Sequence, residues 1–147
     1  MLPQKGCVTQ NLKIHGAIDV IDQSSHLHIY GSDEKGIQDL IRSNPRLGDK
    51  IHPNTPNLLA EVVWAARYEM ARTVEDVLAR RVRILFLDAK AAIESAPIVA
   101  KLLANELNKD KEWQLKQVKE FIEMASHYVL EHINIQQNNL QESATII

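Results

Sequence analysis

Residues 59–89, LAEVVWAARYEMARTVEDVLARRVRILFLDA, decide the fold. Leu59, Val62, Val63, Ala66 and Met70 recur at the three- and four-residue spacing of one helix face, with Glu61, Arg67 and Glu69 between them on the polar side. Thr73 to Asp76 then has the form of a capping box, in which the threonine hydroxyl accepts a backbone N–H and the acid three residues on reaches back. A second helix is expected from Val74, burying Val74, Val77, Leu78 and Leu85 with Val82 beside them. The Asp76–Arg80 pair adds only about 0.2–0.5 kcal/mol to such a helix, so burial must hold it.

Toward the C-terminus, Asp88 is suited to cap a helix over Ala89 to Ser95. Pro97 lacks an N–H and crowds the preceding turn, so a kink or a restart is expected there. Val99, Leu102, Leu103 and Leu107 carry the apolar face onward. Asp110 would cap a last helix whose buried face is Leu115, Val118, Ile122, Ala125 and Val129, flanked by Trp113, Phe121 and Tyr128. After Ile133 the chain is rich in Asn and Gln, and 134–147 is expected to be a loosely held, flexible tail.

Toward the N-terminus the pattern loosens. All five glycines and four of the five prolines precede Asn57, so this part should be mostly connections. Residues 33–43 read as a helix with Ile37, Leu40 and Ile41 on one side, and His26 to Tyr30 alternates as a short strand would. The expected fold is mainly α, a compact bundle of about five or six helices with an irregular N-terminal segment.

At 147 residues, 45% hydrophobic and 24% charged, the chain has the balance of one soluble globular domain. The 17 basic and 19 acidic residues leave a net charge of -2, which disfavours a nucleic-acid partner. The lone Cys7 implies no disulfide framework and fits a reducing cytoplasm. No apolar run approaches the ~20 residues of a membrane span, and Met1 is not followed by a signal segment.

The sequence carries no nucleotide, metal-protease, hydrolase or paired-cysteine motif, so no catalytic, cofactor-binding or metal-binding residue is expected in it. His15, His26, His28 and His52 could be offered as zinc ligands, but their spacing is unspecific and turn hydrogen bonds are the simpler expectation. Arg67, Arg72, Arg80, Arg81 and Arg83 could hold phosphate. The interleaved Glu61, Glu69, Glu75 and Asp76 favour ion pairing within the fold instead. Trp64, Tyr68 and Trp113 are expected to pack rather than to stack on a ligand.

Residues 60–89 resemble the C-terminal domain of FAD-dependent glycerol-3-phosphate dehydrogenases, and the likeness continues through Ala91-Ala92-Ile93-Glu94, Ala96-Pro97 and Glu106-Leu107. Thr9-Gln10-Asn11-Leu12-Lys13-Ile14-His15-Gly16-Ala17 is similar to the family's segment leaving the flavin domain, so the resemblance spans Cys7 to about Tyr128. It implies oxidation of sn-glycerol 3-phosphate to dihydroxyacetone phosphate, with electrons passing through FAD to quinone. It also implies that FAD and substrate are held upstream, by a part this chain packs against as a cap. The implied division is a connector over 1–30, a helical cap over 31–133 and the tail. The implied location is the cytoplasmic face of the inner membrane, by peripheral contact. The resemblance further implies helix rather than strand leading into Tyr30-Gly31. A homodimer through an uncovered apolar patch is a further expectation. The alternative is a free-standing helical adaptor presenting Arg72 to Arg83 to another protein.

Overall fold

The computed structural model of the chain describes residues 6–20 and 22–129, so the tail expected over 134–147 lies outside the described residues. Its centre is helix α2 (Leu59–Tyr68), in which every residue from Ala60 to Ala66 is buried. Three of those seven are alanine, which lets neighbouring elements approach from several sides. Val62, Ala65 and Ala66 join the larger core with the C-terminal helices, and Ala60, Val63 and Trp64 join a smaller one with Leu27, Ile37 and Leu47.

Two expectations for this helix fail. Glu61, placed on the polar side, is wholly buried. Met70 lies beyond the helix, 77% exposed. The helix ends in a left-handed turn at Met70 (φ 58°), where the N–H of Ala71 reaches back to the carbonyl of Ala65 at 2.9 Å.

The capping box forms as read. The Asp76 N–H donates to Thr73 Oγ1 at 3.1 Å and the Thr73 N–H to Asp76 Oδ2 at 3.0 Å. The helix that follows is not the single α-helix expected. It widens into a π-helix over Asp76–Arg81, closed by the Val82 N–H on the carbonyl of Val77 at 3.0 Å. Arg83 then turns left-handed (φ 59°) before a short α3 (Ile84–Leu87). The break redirects the chain so that Ile84 and Leu85 are buried beside Val74, Val77, Leu78 and Val82.

Helix α4 (Ala89–Leu107) starts on Asp88, whose Oδ1 accepts the Ala91 N–H at 2.9 Å. It runs through Pro97 as one element, without the expected restart. Pro97 is on the exposed side, while Ala92, Ala96, Val99 and Leu103 anchor the helix in the core on both sides of it.

Helix α5 (Lys111–Ser126) is capped by Asp110, which accepts the Trp113 N–H at 2.8 Å. Its buried face is rotated from the one expected. Gln117, Phe121 and Ala125 are buried, whereas Leu115 is 62% and Ile122 38% exposed, and Val129 lies past its end. The cause is polar. Gln117 Oε1 accepts the Val74 N–H at 3.1 Å, satisfying an orphan donor at the start of the helical turn that leads into the π-helix.

The described residues before position 26 have little regular structure, and a 3₁₀ helix over His26–Asp33 replaces the strand that alternation suggested. Only Leu27 of that segment is buried, and the Ser25 hydroxyl accepts the Leu27 N–H to begin the turn. Helix α1 (Glu34–Ser43) follows, inside the range expected, then a 3₁₀ turn over Pro45–Gly48. Among the described residues there is no strand, only an isolated bridge between Lys50 and Leu58. The architecture is mainly α.

Candidate functional site

The buried polar centre of the molecule is Glu61. It stands at the third residue of α2, where a carboxyl can reach back to the exposed N–H groups of the helix start. Glu61 accepts from the Leu58 N–H, from Asn57 Nδ2 at 3.1 Å and from the Tyr30 hydroxyl at 2.9 Å, and its Oε2 lies 2.9 Å from His26 Nε2. One carboxyl thus ties the 3₁₀ segment and the loop before α2 to the helix itself. Burial and the Glu61 charge push the Tyr30 phenol far up, so it remains a donor. With four partners and no exposure, Glu61 has nothing left to offer a substrate.

Above this hub is an open cleft of about 290 Å³, lined among others by His15, Gly16, Tyr30, Asp33, Tyr68 and Glu69. The Trp64–Tyr68 ring pair, with centroids 4.1 Å apart, is part of its lining. The irregular segment over residues 6–20, the entry segment, is fastened beside it at two glycines. The Ser32 N–H donates to the Gly16 carbonyl at 3.3 Å, and a Cβ on Gly31 (φ 56°) would lie 1.8 Å from that same oxygen. Only glycine fits there. His15 Nδ1 pairs with Asp33 Oδ2 at 2.8 Å, and that hydrogen bond, then the Asp33 charge, raises the imidazole pKa. Burial raises the pKa of Glu69, against the pull of Arg81 and with the added push of Glu61 and Asp33.

The four histidines are not brought together. His15 pairs with Asp33, His26 with Glu61 and His52 with Glu94, while His28 bonds the Ser25 carbonyl. The arginines are spent largely inside the fold. Arg67 forks onto Glu106 with contacts of 2.6 and 2.9 Å, and Arg72 donates to the carbonyls of Ala66 and Ala71. Arg80 meets Glu75 and Asp76, and Arg81 meets Glu69. Burial of Asp76 opposes its ionisation but is outweighed by hydrogen bonds from Arg72, Thr73 and Arg80, and its pKa falls. Arg83, the remaining member of the run, is exposed. The arrangement explains the arginines as bracing rather than as a phosphate grip.

Of the aromatic residues, Trp64 is buried and Trp113 packs half-buried against the larger core, as expected. Tyr68 packs its ring on Trp64 while staying 59% exposed. A second cleft, about 480 Å³, lies between the Leu85–Lys90 turn and Tyr128, with the Phe86 and Tyr128 rings edge to face. The smaller cleft gathers the His15 imidazole, the Asp33 and Glu69 carboxyls and two tyrosines, with no serine, threonine or cysteine among its described lining residues. Sequence reading missed Glu61 and the Gly16–Gly31 contact. Glu61 had one signal, its place at the third residue of a helix; the glycine contact had none, because it joins residues far apart in the chain.

Residues 7–114 match the family described as the C-terminal domain of alpha-glycerophosphate oxidase. The chain is 33% identical over 144 residues to the probable mitochondrial glycerol-3-phosphate dehydrogenase of Caenorhabditis elegans, covering 82% of this chain and 20% of that protein. It is 36% identical over 113 residues to the mitochondrial glycerol-3-phosphate dehydrogenase of Arabidopsis thaliana, covering 75% of this chain and 18% of that one. A glycerol-3-phosphate dehydrogenase of Synechocystis is 26% identical over 128 residues, covering 82% of this chain and 23% of that protein. The chain therefore spans about a fifth of the length of the curated relatives it matches. No solved structure matches it.

Proposed function

We infer the role of this chain from its family: it belongs to the family described as the C-terminal domain of alpha-glycerophosphate oxidase. On that premise it is the helical C-terminal domain of a glycerol-3-phosphate dehydrogenase. The reaction is oxidation of sn-glycerol 3-phosphate to dihydroxyacetone phosphate, with FAD as the first electron acceptor and quinone as the next. The single observation that carries this reading is the match over residues 7–114.

A dinucleotide of this kind is seated by a strand, a glycine-rich turn and a helix N-terminus. The described residues have no strand, and Glu61, their buried carboxyl, is already filled with partners from this chain. FAD therefore does not fit here, and its binding belongs to the N-terminal part of the polypeptide, as does the grip on substrate phosphate. The work left to this chain is to cap and stabilise that part. Residues 1–30 serve as the connector from it and 31–133 as the cap.

No described helix is long and apolar enough to cross a membrane. Contact with quinone is assigned to the N-terminal part as well, by peripheral association at the cytoplasmic face of the inner membrane.

The test is to prepare this 147-residue chain and the longer polypeptide that contains it side by side. The longer one should bind FAD and reduce a quinone analogue with glycerol 3-phosphate, and the chain alone should do neither. Stoichiometric FAD on the chain alone would overturn the division of labour, and a longer polypeptide without dehydrogenase activity would overturn the reading itself.

A further inference from the structure

We infer that the face made by the entry segment, Ile29, Tyr68 and Met70 is where the N-terminal part of the dehydrogenase docks, seating an arginine or lysine of that part over Tyr68 between Asp33 and Glu69. This rests on the reading of the chain as the C-terminal domain, and names its partner surface.

The first observation is apolar. Val8, Leu12, Ile14 and Val20 are 65–84% exposed on a segment that forms no helix or strand, and Ile29 beside it is 66% exposed. Single exposed aliphatic residues are ordinary on any surface, but four on one irregular segment with a fifth beside it suit a surface that a partner covers.

Met70 supplies the second. It occupies the left-handed position that closes α2, where glycine is the usual residue and any side chain costs about 1–2 kcal/mol of backbone strain. Yet its side chain is 77% exposed and gains almost no burial within this chain. A flexible thioether held out at a cost beside an exposed tyrosine is suited to an interface.

The third is charge. Asp33 gives Oδ2 to His15, and Glu69 gives Oε2 to Arg81. Among the described residues Asp33 Oδ1 and Glu69 Oε1 take no hydrogen bond, and both carboxyls line the same cleft as Tyr68. Two half-used carboxyls around an aromatic face form a seat for a guanidinium or ammonium group, through ion pairing and the ring's negative face.

Length and direction identify the occupant. The relatives are about five times as long as the stretch they share with this chain, and the matched family is a C-terminal domain, so their remaining bulk precedes it. The Gly16–Gly31 contact holds the entry segment on this face, which brings the chain in from its N-terminal part at this place.

The experiment uses the longer polypeptide with Cys7 and every cysteine of its N-terminal part replaced by Ser, and Met70→Cys or Leu87→Cys as the thiol reporter. Met70 and Leu87 are similarly exposed within this chain, at 77% and 83%, so any difference between them reports coverage by the rest of the molecule. Maleimide should label the native Met70→Cys protein about tenfold more slowly than the urea-unfolded one, as burial in an interface requires, and should label Leu87→Cys without such protection. Adding Glu69→Gln should restore most of the labelling at Met70→Cys. Full-speed labelling at Met70→Cys, or protection at Leu87→Cys alone, overturns the docking face. Protection that ignores Glu69→Gln overturns the cation seat. Bound FAD, measured on the same samples, reports separately on the parent reading: a flavin-free protein sinks that reading, whereas a flavin-loaded one with an open Met70→Cys sinks only this face.

Discussion

At the scale of single residues, the molecule depends on one carboxyl doing the work of several. Glu61 holds the Leu58 N–H, Asn57, Tyr30 and His26 without contact with solvent. Glu61→Gln keeps the size but replaces one acceptor oxygen by a donor that faces donors. The loss should be about 2–4 kcal/mol, since buried donors would be left unsatisfied, and urea unfolding measures it directly. A midpoint within error of the parent would mean the hub is dispensable. His15 makes the opposite kind of contact, an exposed one. Its hydrogen bond to Asp33, then the Asp33 charge, raises its pKa above the ordinary 6.5. The folded pKa exceeds the unfolded one, so the pair's contribution is fully present below 6.5 and is lost as pH rises through the folded value. NMR titration of the His15 ring should give a midpoint above 6.5, and Asp33→Asn should bring it down. A midpoint unmoved by Asp33→Asn would remove the pair as an anchor of the entry segment.

At the scale of elements, the sequence told most where one helix answers to its own period and least where two elements settle a conflict between them. The caps at Thr73, Asp88 and Asp110 were legible because each depends on a residue and its neighbours within one turn. The rotation of α5 was not, because the hydrogen bond that sets it runs from Gln117 to Val74, across 43 positions. Apolar spacing alone nominated Leu115 and Ile122, which the structure leaves largely outside the core. The π-turn and the left-handed Arg83 likewise follow from fitting two short helices into one core. The candidate site was legible only in its parts. Tyr68, Glu69 and His15 could be named, but the cleft they share is made by contacts between distant segments. Gly36 shows the same tension from the other side. Glycine within α1 costs roughly 1 kcal/mol against alanine by helix propensity. A Cβ there would nevertheless stand 2.4 Å from Cζ3 of the buried Trp64 ring. Gly36→Ala should therefore destabilise the protein by about 1–3 kcal/mol through overpacking, reversing the sign that propensity gives. A raised thermal midpoint would show that the Trp64 ring yields easily.

At the scale of the whole molecule, the question is whether two apolar clusters make one folding unit or two. The larger cluster takes Val62, Ala65 and Ala66 from α2, and the smaller takes Ala60, Val63 and Trp64 from the same helix. Both clusters therefore use one seven-residue buried stretch, and α2 cannot unfold on one side while staying packed on the other. Glu61 adds a polar tie to the 3₁₀ segment, in the midst of that stretch. The smaller cluster is too slight to stand alone, with six buried residues gathered on α1, two 3₁₀ turns and the outer side of α2. Its stability must be borrowed through α2 from the α4–α5 side. Nature has placed one tryptophan in each unit, Trp64 in the smaller and Trp113 against the larger. Single-tryptophan variants made by Trp113→Phe and Trp64→Phe should each give one sigmoidal urea transition by fluorescence. Within each variant, the transition seen by the remaining tryptophan should coincide with loss of helix by circular dichroism, which is the test of all-or-none unfolding. If Trp64 reports an earlier transition while most helical signal remains, the smaller cluster is a separable layer. The face proposed for docking would then rest on a part of the molecule that its N-terminal partner must itself help to order.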